Sequence, residues 1–131
     1  MDAAQALADL TEISSQIEAA VLFDAVGAVQ GSTLADGDRA QRLAEAAARL
    51  LERAAAVRSE DVEVTQVEAA LADGCVFVVR DGDRRIAATT VANPTVGLVF
   101  YDLTSCLRDS SPEEKPKRKR TTTKKNDDDE T

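Results

Sequence analysis

Residues that could do chemistry are sparse in this chain of 131 residues. It contains no histidine, the commonest general base and metal ligand in proteins. Its two cysteines, Cys75 and Cys106, are too few for a structural zinc site, and their apolar neighbours favour buried, reduced thiols. The sequence has neither a P-loop nor a glycine-rich dinucleotide motif. We therefore expect no metal site and no cofactor.

Two carboxylate pairs and one arginine cluster remain as candidate catalytic groups. The pairs Glu60–Asp61 and Asp81–Asp83 lie at turns and element ends, where such pairs are usually solvated surface groups. Arg80, Arg84 and Arg85 lie on one hairpin and could act on a phosphoryl group as an arginine finger does. Charged residues on a hairpin also discourage sheet-to-sheet association, and we favour that simpler role. We expect no catalytic residue, and therefore no enzyme.

The stretch from Asp38 to Val57 predicts the helix around which the chain is organised. It lacks glycine and proline and consists mainly of strong helix formers, with Asp36 placed to cap it. Apolar residues three and four positions apart form a main stripe of Ala40, Leu43, Ala47, Leu50, Ala54 and Val57. A second apolar row widens the arc: Ala44, Ala48, Leu51 and Ala55. Such an arc fits a helix buried broadly by its own domain or, as we favour, one also used between subunits.

The remaining patterns predict two helices and five strands. A first helix is expected over Asp2–Ile13, and a hairpin follows, with strands over 17–24 and 28–33 and a turn at Gly27. In the first of these strands one face should carry Ile17, Ala19, Val21 and Phe23. After the long helix, strands are expected over 61–71, 75–80 and 85–91.

Two of these segments leave alternatives open. The apolar pattern changes phase within 61–71, which indicates a bulge or a strand covered on both faces, whereas 75–80 suits a central strand buried on both sides. Thr95–Arg108 predicts a closing helix capped by Thr95, with a sixth strand as the competing interpretation.

Composition predicts a folded domain over residues 1–109 and a disordered charged tail over residues 110–131. Residues 1–110 carry 18 acidic and 9 basic side chains, a net charge of −9, which argues against binding to nucleic acid. The tail has a basic run over 115–125 and an acidic run over 127–130, typical of a self-neutralising solubility tail. Weak attachment of the basic run to an anionic membrane is the alternative. A cytoplasmic location is expected, because no signal or membrane-spanning run is found.

Several segments together resemble the Roadblock family, the dynein-light-chain and MglB-like regulators of Ras-like GTPases. They are the opening ALADL, the hairpin AAVLFDAVGAVQGST, the long helix after LADGDR, the strand run VEVTQVEAALADGCVFVVR and the closing IAATTVANPTVGLVFYDLTSCLR. The resemblance covers about residues 3–108. It implies an α+β fold in the order αββαβββα, with a five-stranded antiparallel sheet sandwiched between one long helix and two shorter helices.

The resemblance also implies a homodimer and a partner. Long helices and third strands would meet across a two-fold axis, and we place this interface at Ala40, Leu43, Ala47, Leu50, Ala54, Val64 and Val67. A small Ras-like GTPase would bind along Ala44, Ala48 and Leu51, and its nucleotide cycle would be modulated without a catalytic arginine. A dimeric scaffold or adaptor without effect on GTP hydrolysis is the alternative. A small-molecule sensor is a third possibility, disfavoured because the apolar segments contain no polar cluster.

Overall fold

Three helices and five strands make up the fold in a computed structural model that describes residues 2–59 and 61–110. The predicted tail, apart from its first residue, lies outside the described residues, as does Glu60. In chain order the elements are α1 (Ala3–Ile13), β1 (Ile17–Asp24), β2 (Val29–Ser32), α2 (Gly37–Arg58), β3 (Gln66–Leu71), β4 (Gly74–Asp81), β5 (Arg84–Thr90) and α3 (Val96–Asp109).

The strands form one antiparallel sheet in the order β2-β1-β5-β4-β3, so β2 and β3 are its edges. The short helices α1 and α3 share one core cluster with the sheet, and α2 shares a second cluster with residues of β1, β4 and β5. This three-layer arrangement confirms the predicted fold class and element order.

Strand β1 contributes residues to both core clusters because its side chains alternate between the two faces of the sheet. Val21 and Phe23 face α2, whereas Leu22 joins the cluster with α1 and α3. The prediction for Ile17 is wrong: it shares the face of Leu22, because the pairing with β5 is irregular between Ile17 and Ala19. One extra residue in a ladder reverses the alternation beyond it.

The turns and helix caps mostly follow the sequence. Gly27 has a φ of +86°, as the predicted turn requires. Asp2 and Asp36 cap α1 and α2 by accepting hydrogen bonds from the backbone N–H groups of Gln5 and Asp38. The predicted closing helix is confirmed as α3, Val96–Asp109. Thr95 is its N-cap residue, as expected, although the Thr95 side chain makes no capping hydrogen bond. Its backbone N–H donates instead to Gln16 Oε1 at 2.6 Å.

The third strand is shorter than predicted and lies at the sheet edge. It begins at Gln66 rather than Asp61, and the segment 61–65 is not strand, which explains the change of phase there. Coverage on both faces is also wrong for β3, because its side chains are exposed or half-buried. The two-sided burial expected for the central strand is confirmed in β4, where Phe77 and Val78 are buried on opposite faces.

Helix α2 meets the sheet along a line that differs from the predicted main stripe. The buried line is Ala40, Ala44, Ala47 and Leu51. Leu43, Leu50 and Ala54 are only half-buried, and Val57 is 83% exposed. Small alanine side chains let the helix approach the sheet closely, so the bulkier leucines of the stripe lie to one side of the contact.

Candidate protein-binding surfaces on the long helix

Two surfaces flank the buried line of α2, because residues on either side of it are rotated away from the sheet. The first, which we call the α2 flank, consists of Leu43, Leu50 and Ala54 and is half-buried. Leu43 and Leu50 contact the core cluster that Val67 of β3 and Val64 also contact. Helix α2 also contacts the edge strand β3 directly.

The second surface, the α2–β1 groove, is an open depression of about 370 Å³. Its apolar lining comes from Phe23 at the end of β1 and from Ala48, Leu51 and Ala55 of α2. The groove exists because the alanines of α2 leave space that larger side chains would fill. Its complete lining is Phe23, Asp24, Ala25, Ala48, Leu51, Glu52, Ala55, Ala56, Val62, Arg80 and Arg85.

Sheet register divides the predicted arginine cluster between the two faces. Arg80 and Arg85 are directly opposite each other on β4 and β5, and both line the groove. Arg84, the neighbour of Arg85 along β5, donates instead to the carbonyl oxygen of Leu107 at 2.6 Å and to the hydroxyl of Ser110. Arg84 thus ties the hairpin to the end of α3, and only two of the three arginines share a site.

Arg85 is the more buried of the two groove arginines, with 8% of its surface exposed. Its Nη1 donates to the carbonyl oxygen of Asp83 at 3.2 Å. Burial lowers the pKa of Arg85 from its ordinary value, and the nearby charge of Arg80 lowers this pKa further. The guanidinium still carries its charge at neutral pH, because an arginine loses its proton only under extreme conditions.

The other charged groups around the groove have protein partners or face solvent. Arg80 Nε forms an ion pair with Glu63 Oε2 at 3.2 Å and donates its N–H to the carbonyl oxygen of Gly82 at 3.3 Å. Asp24 Oδ1 accepts from the N–H groups of Val26 and Ala28, at 3.1 and 2.9 Å, and therefore holds the β1–β2 turn. Glu52 is exposed on α2.

The predicted interface residues fall into two groups. Ala40, Ala44, Ala47 and Leu51 are buried beneath α2, with at most 6% of each residue exposed. A partner cannot contact most of these side chains, although Leu51 still lines the groove. Half-buried positions are Leu43, Leu50 and Ala54 on the α2 flank, Val67 on β3, Val64 before it, and Ala48 in the groove.

Arg85 was not predicted as a binding residue. The sequence shows that Arg84 and Arg85 must alternate on a strand, but not which of them faces the long helix. That choice depends on the pairing of Arg85 with Phe23 across β1 and β5, which is a long-range feature.

Metal and thiol chemistry receive little support from the described residues. Within 2–59 and 61–110, no group of three or more His, Cys, Asp or Glu residues could hold a metal ion. Both cysteines are buried free thiols, and burial raises the pKa of Cys106 to about 12. The helices of this part of the chain are all too short or too polar to cross a membrane.

Comparison with solved structures gives this architecture a name. A Roadblock/LC7 domain from Streptomyces avermitilis superimposes with a TM-score of 0.75 at 22% identity, covering 86% of this chain and 98% of that one. The chain has the Roadblock/LC7 fold. Gliding protein MglB from Thermus thermophilus also matches, with a TM-score of 0.62 at 14% identity over 82% of this chain and 84% of that one.

MglB from Myxococcus xanthus shares the Roadblock/LC7 fold with a TM-score of 0.60 at 13% identity, covering 82% of this chain and 86% of that one. No protein-family model matches the sequence. The search of curated proteins also finds no match. The fold is therefore recognised through three-dimensional similarity, as expected where a match depends on element order and packing more than on individual residues.

Proposed function

We propose that this protein is a non-enzymatic homodimer that binds a small Ras-like GTPase and modulates its nucleotide cycle. The observation that carries the proposal is the form of α2: its buried line of small residues leaves a partly apolar surface on each side. One surface can serve a second copy of the chain while the other receives a different protein. The Roadblock/LC7 fold and its likeness to MglB support this division of roles.

The α2 flank and β3 form the proposed dimer interface. β3 is a sheet edge with unpaired backbone groups, and Leu71 at its end is 60% exposed. Edge strands are normally covered, charged or paired with another chain. A two-fold axis beside β3 would join the two edges and cover Leu43, Leu50 and Ala54 with their counterparts. Val64 and Val67 would border that contact.

The α2–β1 groove is the proposed GTPase site. Ala48 and Ala55 form a shallow wall that an apolar side chain of a partner could contact closely. The two carboxylates that line the groove have other places in the structure: Asp24 holds the β1–β2 turn, and Glu52 is exposed on α2. The protein would therefore act by holding the GTPase in one conformation, so it needs a difference in affinity between the two nucleotide states.

Affinity capture tests this function directly. Full-length protein would be immobilised and offered small Ras-like GTPases of the same organism, loaded with either GDP or a non-hydrolysable GTP analogue. We expect one GTPase to be retained preferentially in one state. Equal retention in both states, with unchanged rates of hydrolysis and exchange, would instead support the dimeric scaffold.

A further inference from the structure

Arg85 presents more hydrogen-bond donors than the described part of the chain uses. A guanidinium has five N–H donors, and the structure records one bond from Arg85, to the carbonyl oxygen of Asp83. In residues 2–59 and 61–110, the only ion pair is that between Arg80 and Glu63. Among the described residues, Ser14 Oγ is the one buried side-chain atom without a hydrogen-bond partner, so the unbonded guanidinium nitrogens of Arg85 reach the solvent of the open groove. The remaining donors of Arg85 are therefore available to an anion.

The surroundings of Arg85 indicate what kind of anion would fit. Phe23, Ala48, Leu51 and Ala55 line the same groove as Arg85 and give it apolar walls. An occupant should therefore combine one carboxylate with apolar groups, as an acidic side chain in a protein segment does. A guanidinium fork matches a carboxylate through two parallel hydrogen bonds.

The charge of the whole domain distinguishes this occupant from a polyanion. Asp24, Glu52 and Glu63 surround the two arginines, and residues 1–110 have a net charge of −9. A nucleic acid or an anionic membrane would bring many phosphates towards this acidic surface. A single recessed carboxylate would bring one charge instead of many and would meet Arg85, because Arg80 is already paired with Glu63.

We propose that the α2–β1 groove binds an aspartate or glutamate side chain of the docked GTPase, held by Arg85, with apolar neighbours of that side chain against Ala48 and Ala55. This inference rests on the proposed function, since it assigns the chemistry that the partner must present. It makes Arg85 a specificity-determining residue, because a partner that covers the groove without supplying a carboxylate would remove the guanidinium from water and leave it unpaired.

The site can be tested without the GTPase. Propionate, which carries a carboxylate on a short apolar chain, would be titrated into the full-length protein while the Nε–Hε resonances of the arginines are followed by NMR. We expect the Arg85 resonance to shift saturably, and sodium chloride at equal ionic strength not to reproduce this shift. The exposed Arg49 serves as an internal control.

Two results of this titration would overturn the proposal. One is an Arg85 resonance that merely parallels that of Arg49. The other is an Arg85 chemical shift that propionate does not change in the wild type but that moves in Glu60→Gln. That result would identify Glu60 as the partner of Arg85.

A second experiment separates this inference from the proposed function. The GTPase would be titrated with wild type, Arg85→Lys, Arg49→Lys and Ala48→Arg, after thermal unfolding has shown that each variant folds. Arg85→Lys keeps the charge but loses the fork, and we expect it to weaken binding about tenfold, whereas Arg49→Lys should bind like wild type.

If Ala48→Arg loses binding while Arg85→Lys keeps full affinity, the groove remains the docking site. The proposal that Arg85 binds a carboxylate of the GTPase is then overturned. If the wild type binds no GTPase, the proposed function fails, and the propionate titration then decides alone whether the groove is a carboxylate site.

Discussion

At the scale of single residues, burial perturbs the pKa of one carboxyl group among the described residues, that of Asp102 on α3. Its residue surface is only 8% exposed, and no hydrogen bond to its carboxylate is found among the described residues. Burial raises the pKa of this carboxyl above its ordinary value of 3.8. An acid with a raised pKa binds its proton more tightly in the folded protein than in the unfolded chain. Its favourable contribution to folding therefore exists at low pH and is lost as pH rises through the folded-state pKa.

Asp102→Asn should therefore stabilise the protein at neutral pH. The substitution removes a partly buried charge, and we expect the free energy of unfolding at pH 7 to rise by less than about 1 kcal/mol, because solvent at the carboxylate screens its charge. Urea unfolding of both proteins at several pH values measures the difference. The difference in unfolding free energy should shrink as pH falls towards 4, where wild-type Asp102 becomes protonated. A difference that is constant with pH would contradict the explanation that the charge of Asp102 destabilises the fold.

Alanine substitutions at Gly74 and Gly97 test how closely β4 approaches β5. A Cβ atom added to Gly74, at the start of β4, would overlap the carbonyl oxygen of Thr90, whereas one added to Gly97 meets nothing within 4 Å. We expect Gly74→Ala to lower the free energy of unfolding by about 1–3 kcal/mol. Gly97→Ala should raise it by about 0.5 kcal/mol, because alanine is the better helix former. Thermal unfolding of both variants would show the opposite signs.

At the scale of elements, α2 shows what could be derived from the sequence and what could not. Composition and capping residues predict its limits, because both act within the helix itself. The rotation of α2 about its axis depends on the sheet beneath it, and its predicted stripe is consequently displaced: Val57 is exposed while Ala44 is buried. Arg85 was not predicted as a groove residue for the same reason. The face of the sheet on which its side chain lies depends on the pairing between β1 and β5. Similarly, no local signal marks the irregularity that reverses Ile17.

The α2 flank gives a prediction about assembly. Leu50→Glu combined with Ala54→Glu places two charges in the proposed interface, where they would be buried without partners. Light scattering of the 14.0 kDa wild-type chain should give twice the monomer mass at micromolar concentration. The double variant should give the mass of a single monomer. Ala4→Glu with Ala8→Glu, exposed positions of the same spacing on α1, should remain dimeric. A wild-type monomer would contradict the dimer.

At the scale of the whole molecule, the sheet separates two helical layers that differ in their packing. On one side, α1 and α3 enclose large side chains, including Phe77 and Phe100 in an edge-to-face pair with ring centroids 4.9 Å apart. On the other side, a single helix covers the sheet mainly through alanines and leaves the flank and the groove at its borders. Partner binding is therefore proposed for the α2 side, where one helix alone covers five strands.

Calorimetric titration with Ala48→Arg tests that proposal most directly. Wild type, Ala48→Arg and the control Ala4→Arg, which alters the opposite layer, would each be titrated against the GTPase loaded with GDP or a GTP analogue. We expect Ala48→Arg to lower the affinity for the GTPase in its preferred nucleotide state at least about tenfold, because a bulky cation would fill the groove beside Arg85. Ala4→Arg should bind the GTPase as tightly as the wild type does. Equal affinity of wild type and Ala48→Arg, with both proteins folded and dimeric, would contradict the assignment of the GTPase to the α2–β1 groove.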